Sequence, residues 1–118
     1  MSTRETIEGY MKAWTAKDFD ATRALLADDI DFQGSMEKHA TADGFMGGLK
    51  MFVNGMYADH TLVEQLWGDD SAFLLYDCTL KNGGTMRCSE FLQVADGKIT
   101  KIRLTFDTYP MRKDRPKS

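Results

Sequence analysis

The chain contains few of the residues that identify metal-binding or disulfide-rich proteins. Its 118 residues include two cysteines and two histidines. Cys78 and Cys88 are too few for a disulfide scaffold and lack the spacing of a metal site. His39 and His60 are isolated from one another in the sequence, so they do not complete a ligand set. We therefore expect no metal site and free thiols in a reducing compartment.

The chain also lacks long apolar runs, an excess of basic charge and nucleotide-binding motifs. No apolar run follows Met1-Ser-Thr-Arg-Glu, so we expect neither a signal peptide nor a membrane span. A net charge of −3 argues against binding to nucleic acid or anionic membranes. Glycine-rich phosphate loops and nucleophile elbows are missing as well. These absences predict a cytoplasmic protein with no cofactor and with neither nucleic acid nor membrane as a partner.

What is present is typical of one globular domain. Hydrophobic residues make up 42% of the chain and charged residues 28%, an ordinary balance for a soluble domain. No repeat or linker divides the chain. We predict a single domain over residues 1–108 and a flexible basic tail over 109–118, which begins at Tyr109-Pro110.

The first half of the chain has helical periodicity. Ser2 and Glu5 have the spacing of a capping box, and an apolar stripe follows at Ile7, Tyr10, Met11 and Trp14. Asp18 is placed to begin a second helix that carries Phe19, Thr22, Leu25 and Leu26. Alternation from Ile30 to Gln33 predicts a short strand. Thr41 is placed to begin a third helix, whose apolar side contains Phe45, Leu49, Phe52, Val53 and Met56.

The second half alternates in the manner of strands. The predicted strands cover 61–67, 72–80, 85–94 and 99–106, and glycine-containing turns separate them. Helices followed by an antiparallel meander predict an α+β fold, with the helices packed on one face of the sheet.

The turn at Asn82-Gly83-Gly84 sets which side chains share a face of the sheet. A three-residue loop there pairs Tyr76 with Glu90 and Cys78 with Cys88. It also collects Ala72, Leu74, Leu80, Met86, Leu92 and Val94 on the same face. A two-residue turn would instead place Arg87 and Ser89 against the helices, which costs polar desolvation. The three-residue loop is therefore favoured.

The last strand has two possible registers. With the same parity, Ile102, Leu104 and Phe106 join the apolar face beside Glu90. A two-residue turn at Asp96-Gly97 would bring Arg103 opposite Glu90 as an ion pair instead. The first register buries three large apolar side chains, so it is favoured by area.

Glu90 is thus a single acid on an apolar face. Desolvation is expected to raise its pKa, which suits a general acid, a general base or a hydrogen-bond donor. A glutamate that is satisfied by Tyr10, Trp14 or Arg103, with no ligand, is the structural alternative, and the two interpretations carry equal weight.

Three segments resemble proteins of the nuclear transport factor 2-like superfamily, and in particular the SnoaL-like and ketosteroid isomerase-like members. They are Tyr10-Met-Lys-Ala-Trp-Thr-Ala-Lys-Asp-Phe-Asp, Ala24-Leu-Leu-Ala-Asp-Asp-Ile-Asp-Phe and Glu90-Phe-Leu-Gln-Val-Ala-Asp-Gly-Lys-Ile. The resemblance implies a cone-shaped, cystatin-like roll in which three N-terminal helices pack on a strongly curved sheet. It also implies homodimers that form through the outer face of the sheet.

The resemblance carries over to the site only in part. Tyr10 and Glu90 match the tyrosine and the acid that form the oxyanion hole of ketosteroid isomerase, where the carboxylic acid stays protonated. The catalytic aspartate matches Gly34, where no side chain is present. Glu37 or His39 could replace it only if the following loop folds inward. The acid that limonene epoxide hydrolase-like members carry on the last strand matches Leu104.

These observations predict a pocket for an apolar, ring-bearing small molecule, with Glu90 and Tyr10 as catalytic residues. The predicted lining consists of Trp14, Phe32, Phe52, Leu74, Tyr76, Cys78, Cys88, Leu92, Ile102, Leu104 and Phe106. A cofactor-independent isomerase, cyclase or lyase is one function; a binding module without chemistry is a second. The third is an oligomerisation domain whose cone is filled by Trp14, Phe32, Phe52 and Phe106.

Overall fold

A computed structural model of the protein describes residues 1–109. Three helices and six strands follow one another along the chain: α1 (Thr3–Thr15), α2 (Phe19–Ala24), β1 (Leu26–Gln33), β2 (Lys38–His39), α3 (Ala42–Gly55), β3 (Tyr57–Trp67), β4 (Ser71–Leu80), β5 (Thr85–Ala95) and β6 (Lys98–Phe106). The predicted α+β class with a curved sheet is confirmed. The predicted tail lies outside the described residues, apart from Tyr109. No helix within 1–109 is long and apolar enough to cross a membrane.

The predicted residues begin all three helices. The Ser2 hydroxyl accepts a hydrogen bond from the Glu5 backbone N–H at 3.1 Å, and the Glu5 carboxylate accepts one from the Ser2 N–H at 3.2 Å. This reciprocal pair is the predicted capping box. Asp18 and Thr41 accept from the third residue of α2 and of α3 in the same way.

The second helix is shorter than its apolar pattern predicts. It ends at Ala24, whereas the pattern extends through Leu25 and Leu26. Leu26 instead begins β1 and pairs with Ile99, and the Leu25 carbonyl accepts a hydrogen bond from the Ile99 N–H at 2.8 Å. Pairing with a distant strand therefore overrides local helical periodicity, as tertiary contacts often do.

The sheet has the strand order β2-β1-β6-β5-β4-β3. All neighbours are antiparallel except β1 and β6, which run parallel. We call the face toward the helices the inner face. The inner side chains of β4 and β5 are buried, and their neighbours in sequence lie on the outer face. The inner face therefore forms one wall of the core.

The hairpin between β4 and β5 has the predicted faces but a different register. Its loop is Lys81-Asn82-Gly83, and the Leu80 N–H donates to the Gly84 carbonyl at 2.8 Å. Gly83 adopts φ +89°, which favours glycine. Each cross-strand pair is consequently displaced by two residues from the prediction: Cys78 faces Met86, Tyr76 faces Cys88, Leu74 faces Glu90 and Ala72 faces Leu92. A shift of two preserves the faces, because side chains alternate with a period of two.

The hairpin between β5 and β6 combines features of both predicted alternatives. Its turn is the tight Asp96-Gly97 pair, and both residues have positive φ. A bulge at Thr100 then shifts the register by one residue, so that Leu104 faces Glu90. Arg103 lies on the outer face and binds the Asp31 carboxylate at 2.9 Å. The favoured register, which places Leu104 beside Glu90, is therefore the one observed, although the turn that suggested the Arg103 alternative is present.

The β4–β5 loop also contacts the end of α3. The Lys81 N–H donates to the Met56 carbonyl at 2.7 Å, and the Lys81 ammonium donates to the Asn54 carbonyl. The last turn of α3 contains no basic residue. Lys81 supplies the positive charge that a helix C-terminus favours. Its two hydrogen bonds connect the end of α3 to the β4–β5 hairpin.

Candidate functional site

A cavity of about 410 Å³ lies between α3 and the inner face of the sheet. Its walls are mostly aromatic, aliphatic and sulfur-containing side chains. The lining residues are Phe32, Gly34, Met36, Glu37, Phe45, Gly48, Leu49, Met51, Phe52, Met56, Tyr76, Cys78, Met86, Cys88, Leu104 and Phe106. Size and polarity are those of a site for a small molecule.

Seven of the eleven residues predicted to line a pocket lie in this wall: Phe32, Phe52, Tyr76, Cys78, Cys88, Leu104 and Phe106. The other four, Trp14, Leu74, Leu92 and Ile102, are buried elsewhere in the core. Leu92 and Ile102 face each other across β5 and β6, and Trp14 packs edge-on against Tyr57. Trp14 belongs to α1, and that helix contacts β4, β5 and β6, the strands that carry the other three.

Alternation along strands could not identify the lining residues that come from α3 and the β1–β2 loop. Phe45, Leu49 and Met56 belong to the apolar side of α3, which the sequence showed as a helix stripe. Met36, Glu37 and Met51 gave no pattern that assigns them to a pocket. Met36 and Met51 are 65% and 78% exposed, so these residues form the mouth of the cavity.

Glu90 lies behind the cavity wall. Its side chain is 2% exposed and does not line the cavity, whereas Tyr76 does. The Tyr76 hydroxyl donates a hydrogen bond to Glu90 Oε1 at 2.7 Å. The predicted direct pairing of these two residues across the hairpin is wrong, yet their side chains meet diagonally on the same face. Tyr76 therefore lies between a ligand in the cavity and the carboxyl group.

Burial decides the protonation state of Glu90. Desolvation raises the pKa of Glu90 to about 7, and the hydrogen bond from Tyr76 opposes that rise. Burial, together with the nearby Glu90 charge, also raises the pKa of Tyr76 well above its usual value. Near neutral pH, Tyr76 is consequently a neutral donor and Glu90 exchanges its proton readily.

Tyr10, which was predicted to donate a hydrogen bond to a ligand, does not reach the cavity. It is buried on α1 and does not line the cavity. Burial, followed by the Glu90 charge, raises the pKa of Tyr10 well above its usual value, so the two groups are close enough to interact electrostatically. Tyr76 makes the hydrogen bond instead, because it shares the inner face of β4 and β5 with Glu90. The predicted Tyr10–Glu90 pair is replaced by Tyr76–Glu90.

Cys78 and Cys88 are free, buried and part of the cavity wall. They were predicted to be directly opposite but lie diagonally, since Cys78 faces Met86 and Tyr76 faces Cys88. A hydrogen bond with Cys78 and burial raise the pKa of the Cys88 thiol. A protonated thiol is a poor nucleophile, so Cys88 is a wall residue of the cavity rather than a nucleophile.

The loop after β1 folds toward the cavity. The Gly34 N–H donates to the Glu37 carbonyl at 2.8 Å, and both residues line the cavity. Glu37 Oε2 lies 3.5 Å from His39 Nε2. His39 was predicted in an exposed loop but is half-buried in β2 and stacks against Phe32. Glu37 was predicted to replace the side chain missing at Gly34 only if this loop folds inward. The loop does bring Glu37 to the cavity wall.

In the part of the chain that the structure describes, His60 and the acidic residues do not form a metal site. His60 Nδ1 is hydrogen-bonded to the Tyr57 hydroxyl at 2.8 Å. Among residues 1–109, no three histidine, cysteine, aspartate or glutamate side chains are grouped closely enough to hold a metal ion.

Comparison with known proteins identifies the family. Residues 7–102 match the SnoaL-like domain family, whereas curated proteins yield no match. A solved protein from Kribbella flavida DSM 17836 is 27% identical, with 91% of this chain and 88% of that chain covered and a TM-score of 0.85. A proposed ketosteroid isomerase from the same organism is 18% identical, with 98% and 82% covered and a TM-score of 0.77. An LEH-like epoxide hydrolase from M. tuberculosis is 19% identical, with 92% and 85% covered and a TM-score of 0.77.

The family match spans more than half of the chain. The chain therefore belongs to the SnoaL-like domain family, within the nuclear transport factor 2-like superfamily. The predicted resemblance and the cystatin-like roll are both confirmed.

Proposed function

We propose that the protein binds a compact, apolar, ring-bearing molecule in the cavity and acts on it by acid/base chemistry without a cofactor. The observation that carries this proposal is Tyr76, a residue of the apolar cavity wall whose hydroxyl lies 2.7 Å from the buried Glu90. An apolar pocket with few polar groups is the usual form of a small-molecule site. Names of relatives, a proposed ketosteroid isomerase and an epoxide hydrolase, agree with small-molecule chemistry on this fold.

The Tyr76–Glu90 pair can hold a proton in two arrangements. When Glu90 is ionised, the Tyr76 O–H donates to it, and the hydroxyl oxygen keeps a lone pair that can accept a hydrogen bond. When Glu90 is protonated, its own O–H can donate to Tyr76, which frees the Tyr76 hydrogen for a carbonyl oxygen of the ligand. Because the pKa of Glu90 is raised to about 7, both arrangements are populated near neutral pH. A donor aimed at developing negative charge in a dry site stabilises an enolate-like state.

Binding in the cavity can be tested with a matched pair of tryptophan substitutions on β4. Cys78→Trp places a large ring in the cavity, whereas Thr79→Trp places the same ring on the exposed outer face of the adjacent position. We expect N-phenyl-1-naphthylamine, a neutral fluorescent probe, to bind the wild type and Thr79→Trp and to lose at least tenfold in affinity for Cys78→Trp. Circular dichroism checks that both variants fold. Equal binding by both variants would remove the cavity as the site.

The acid/base role depends on the protonation of Glu90. Carbon-13 NMR of the Glu90 carboxyl group is expected to titrate near pH 7, and Tyr76→Phe is expected to move the titration upward by removing the hydrogen bond that lowers the pKa. A Glu90 pKa near the ordinary value of about 4.3 would exclude this role.

Binding without chemistry is the second candidate function, and the position of Glu90 favours it. The carboxyl group does not line the cavity, so it reaches a ligand only through Tyr76. Recovery of a co-purified ligand that the protein leaves unchanged at pH 7 would support this function. A cone filled by its own side chains has less support, because Phe32, Phe52 and Phe106 surround about 410 Å³ of space.

We also propose that two copies associate through the outer face of the sheet. Leu66 on β3 is 70% exposed, and Phe73 on β4 lies beside it as its cross-strand partner. The Asp77–Arg87 ion pair lies on the same face, with 2.7 Å between Oδ1 and Nε. An apolar patch bordered by paired charges is typical of protein interfaces.

Free cysteines in the core suit a reducing compartment, which supports the cytoplasm as the place of action.

A further inference from the structure

The mouth of the cavity carries a negative charge. Glu37 is the one charged side chain among residues 1–109 that lines the cavity, whose other walls are apolar or neutral. Its side chain is 49% exposed, and the exposed Met36 and Met51 line the same cavity. Any ligand that fills the cavity must leave one end beside this carboxylate.

The shape of α3 makes room for that carboxylate. A Cβ atom at Gly48 would lie 2.5 Å from Glu37 Oε1, a distance at which one of the two must move. The neighbouring Gly47 has open space at the same position. Glycine lowers helix stability by about 1 kcal/mol relative to alanine. The space that the Glu37 carboxylate needs beside the helix explains why a glycine is present at position 48.

The other oxygen of Glu37 faces a histidine. Oε2 lies 3.5 Å from His39 Nε2, and that nitrogen is buried with no hydrogen-bond partner in the described chain. His39 also stacks on Phe32 of the cavity wall. The imidazole therefore lies beside one oxygen of the carboxylate, while about half of the glutamate side chain stays exposed.

We propose that Glu37 selects ligands by charge, and that the ligand class is a compact apolar ring compound bearing one protonated amine. The apolar body occupies the cavity, and the ammonium group lies at the mouth against Glu37. A carboxylate-bearing ligand of the same shape is rejected there. This inference rests on the proposed binding function but requires no catalysis.

Three adamantane derivatives of nearly equal size provide the test: 1-adamantanamine, 1-adamantanol and 1-adamantanecarboxylate. By calorimetry at pH 8 and low salt, we expect the amine to bind about fivefold more tightly than the alcohol, and the carboxylate about fivefold more weakly. This is the range of one partly exposed charge pair. Glu37→Gln should bring the three affinities within about twofold of one another. Glu64→Gln, which removes an equal charge on the outer face of β3, should keep the order of the wild type.

Two glycine variants test separately whether the space at Gly48 positions the Glu37 carboxylate. Gly48→Ala is expected to displace Glu37 and reduce the preference for the amine, even though alanine stabilises the helix. Gly47→Ala should stabilise the helix and leave the preference unchanged. If the alcohol binds but the amine is not preferred, or if Glu37→Gln keeps the preference, the charge selection is wrong while cavity binding stands. If none of the three binds, the binding function fails, and the charge selection fails with it.

Discussion

The buried Glu90 makes the stability of the fold depend on pH in an unusual direction. Its pKa in the folded protein is raised to about 7, and in the unfolded chain it returns to the ordinary value of 4.5. Between these two values the folded state holds a proton that the unfolded state releases. Raising the pH through this window therefore favours unfolding. The stabilisation is complete below pH 4.5, declines from there to pH 7 and is lost above it.

The magnitude follows from the width of that window. Each unit of difference in pKa corresponds to about 1.4 kcal/mol, so a window from 4.5 to about 7 amounts to roughly 3 kcal/mol. This is a large part of the stability of a small domain, which is about 5–15 kcal/mol. Because the side chain is 2% exposed, solvent screening does not diminish the effect substantially.

Glu90→Gln removes the titration and keeps the size and the hydrogen-bond acceptor for Tyr76. In urea denaturation at a series of pH values, we expect the free energies of unfolding of the variant and the wild type to be similar at pH 4.5. The variant should become more stable than the wild type by roughly 3 kcal/mol above pH 7.

Other carboxylates do not mimic this behaviour. Arg23, Arg103 and Arg87 lower the pKa values of Asp28, Asp31 and Asp77 by direct hydrogen bonds. Their contributions are present above the ordinary pKa and are lost as the pH falls below it, which is the opposite sign and a lower pH range. The exposed Glu64→Gln serves as a control. Parallel stability profiles for Glu90→Gln and the wild type would refute a raised pKa at Glu90.

Two further predictions concern the helix start and the assembly. Ser2→Ala removes the hydroxyl that accepts from the Glu5 N–H, so urea denaturation should show a loss of about 1 kcal/mol; an unchanged midpoint would contradict the capping role. In sedimentation velocity at micromolar protein, the wild type should be a dimer, and Leu66→Asp on the outer face should be a monomer. Met51→Asp, at an equally exposed position of the cavity mouth, should remain a dimer, and a monomeric wild type would contradict the interface.

The sequence alone determined the helix starts and the two faces of the hairpins. Ser2, Asp18 and Thr41 accept hydrogen bonds from residues three positions further along the chain. Such local contacts can be predicted from the spacing of residues in the sequence. The faces of β4 and β5 were predictable for a similar reason. Alternation has a period of two, and so it survived an error of two residues in the register.

The partners of individual side chains were decided by the tertiary structure. The choice of Lys81-Asn82-Gly83 as the loop, and the bulge at Thr100, depend on how the strands twist and pack, which no short-range pattern specifies. Because the loop is Lys81-Asn82-Gly83, Tyr76 lies diagonally from Glu90 and not directly opposite it. The bulge allowed a two-residue turn and still placed Leu104, rather than Arg103, beside the acid.

For the residues of the site, too, some were predictable from the sequence and others only from the tertiary structure. The sequence identified Glu90 as an acid on an apolar face, because only the strand pattern was needed for that. It could not show that α1 contacts β5 and β6 while a cavity remains beside Cys78 and Cys88, since helix placement is a packing result. Nor could it show that a loop residue, Glu37, reaches the mouth of the cavity through the space that Gly48 leaves on another element.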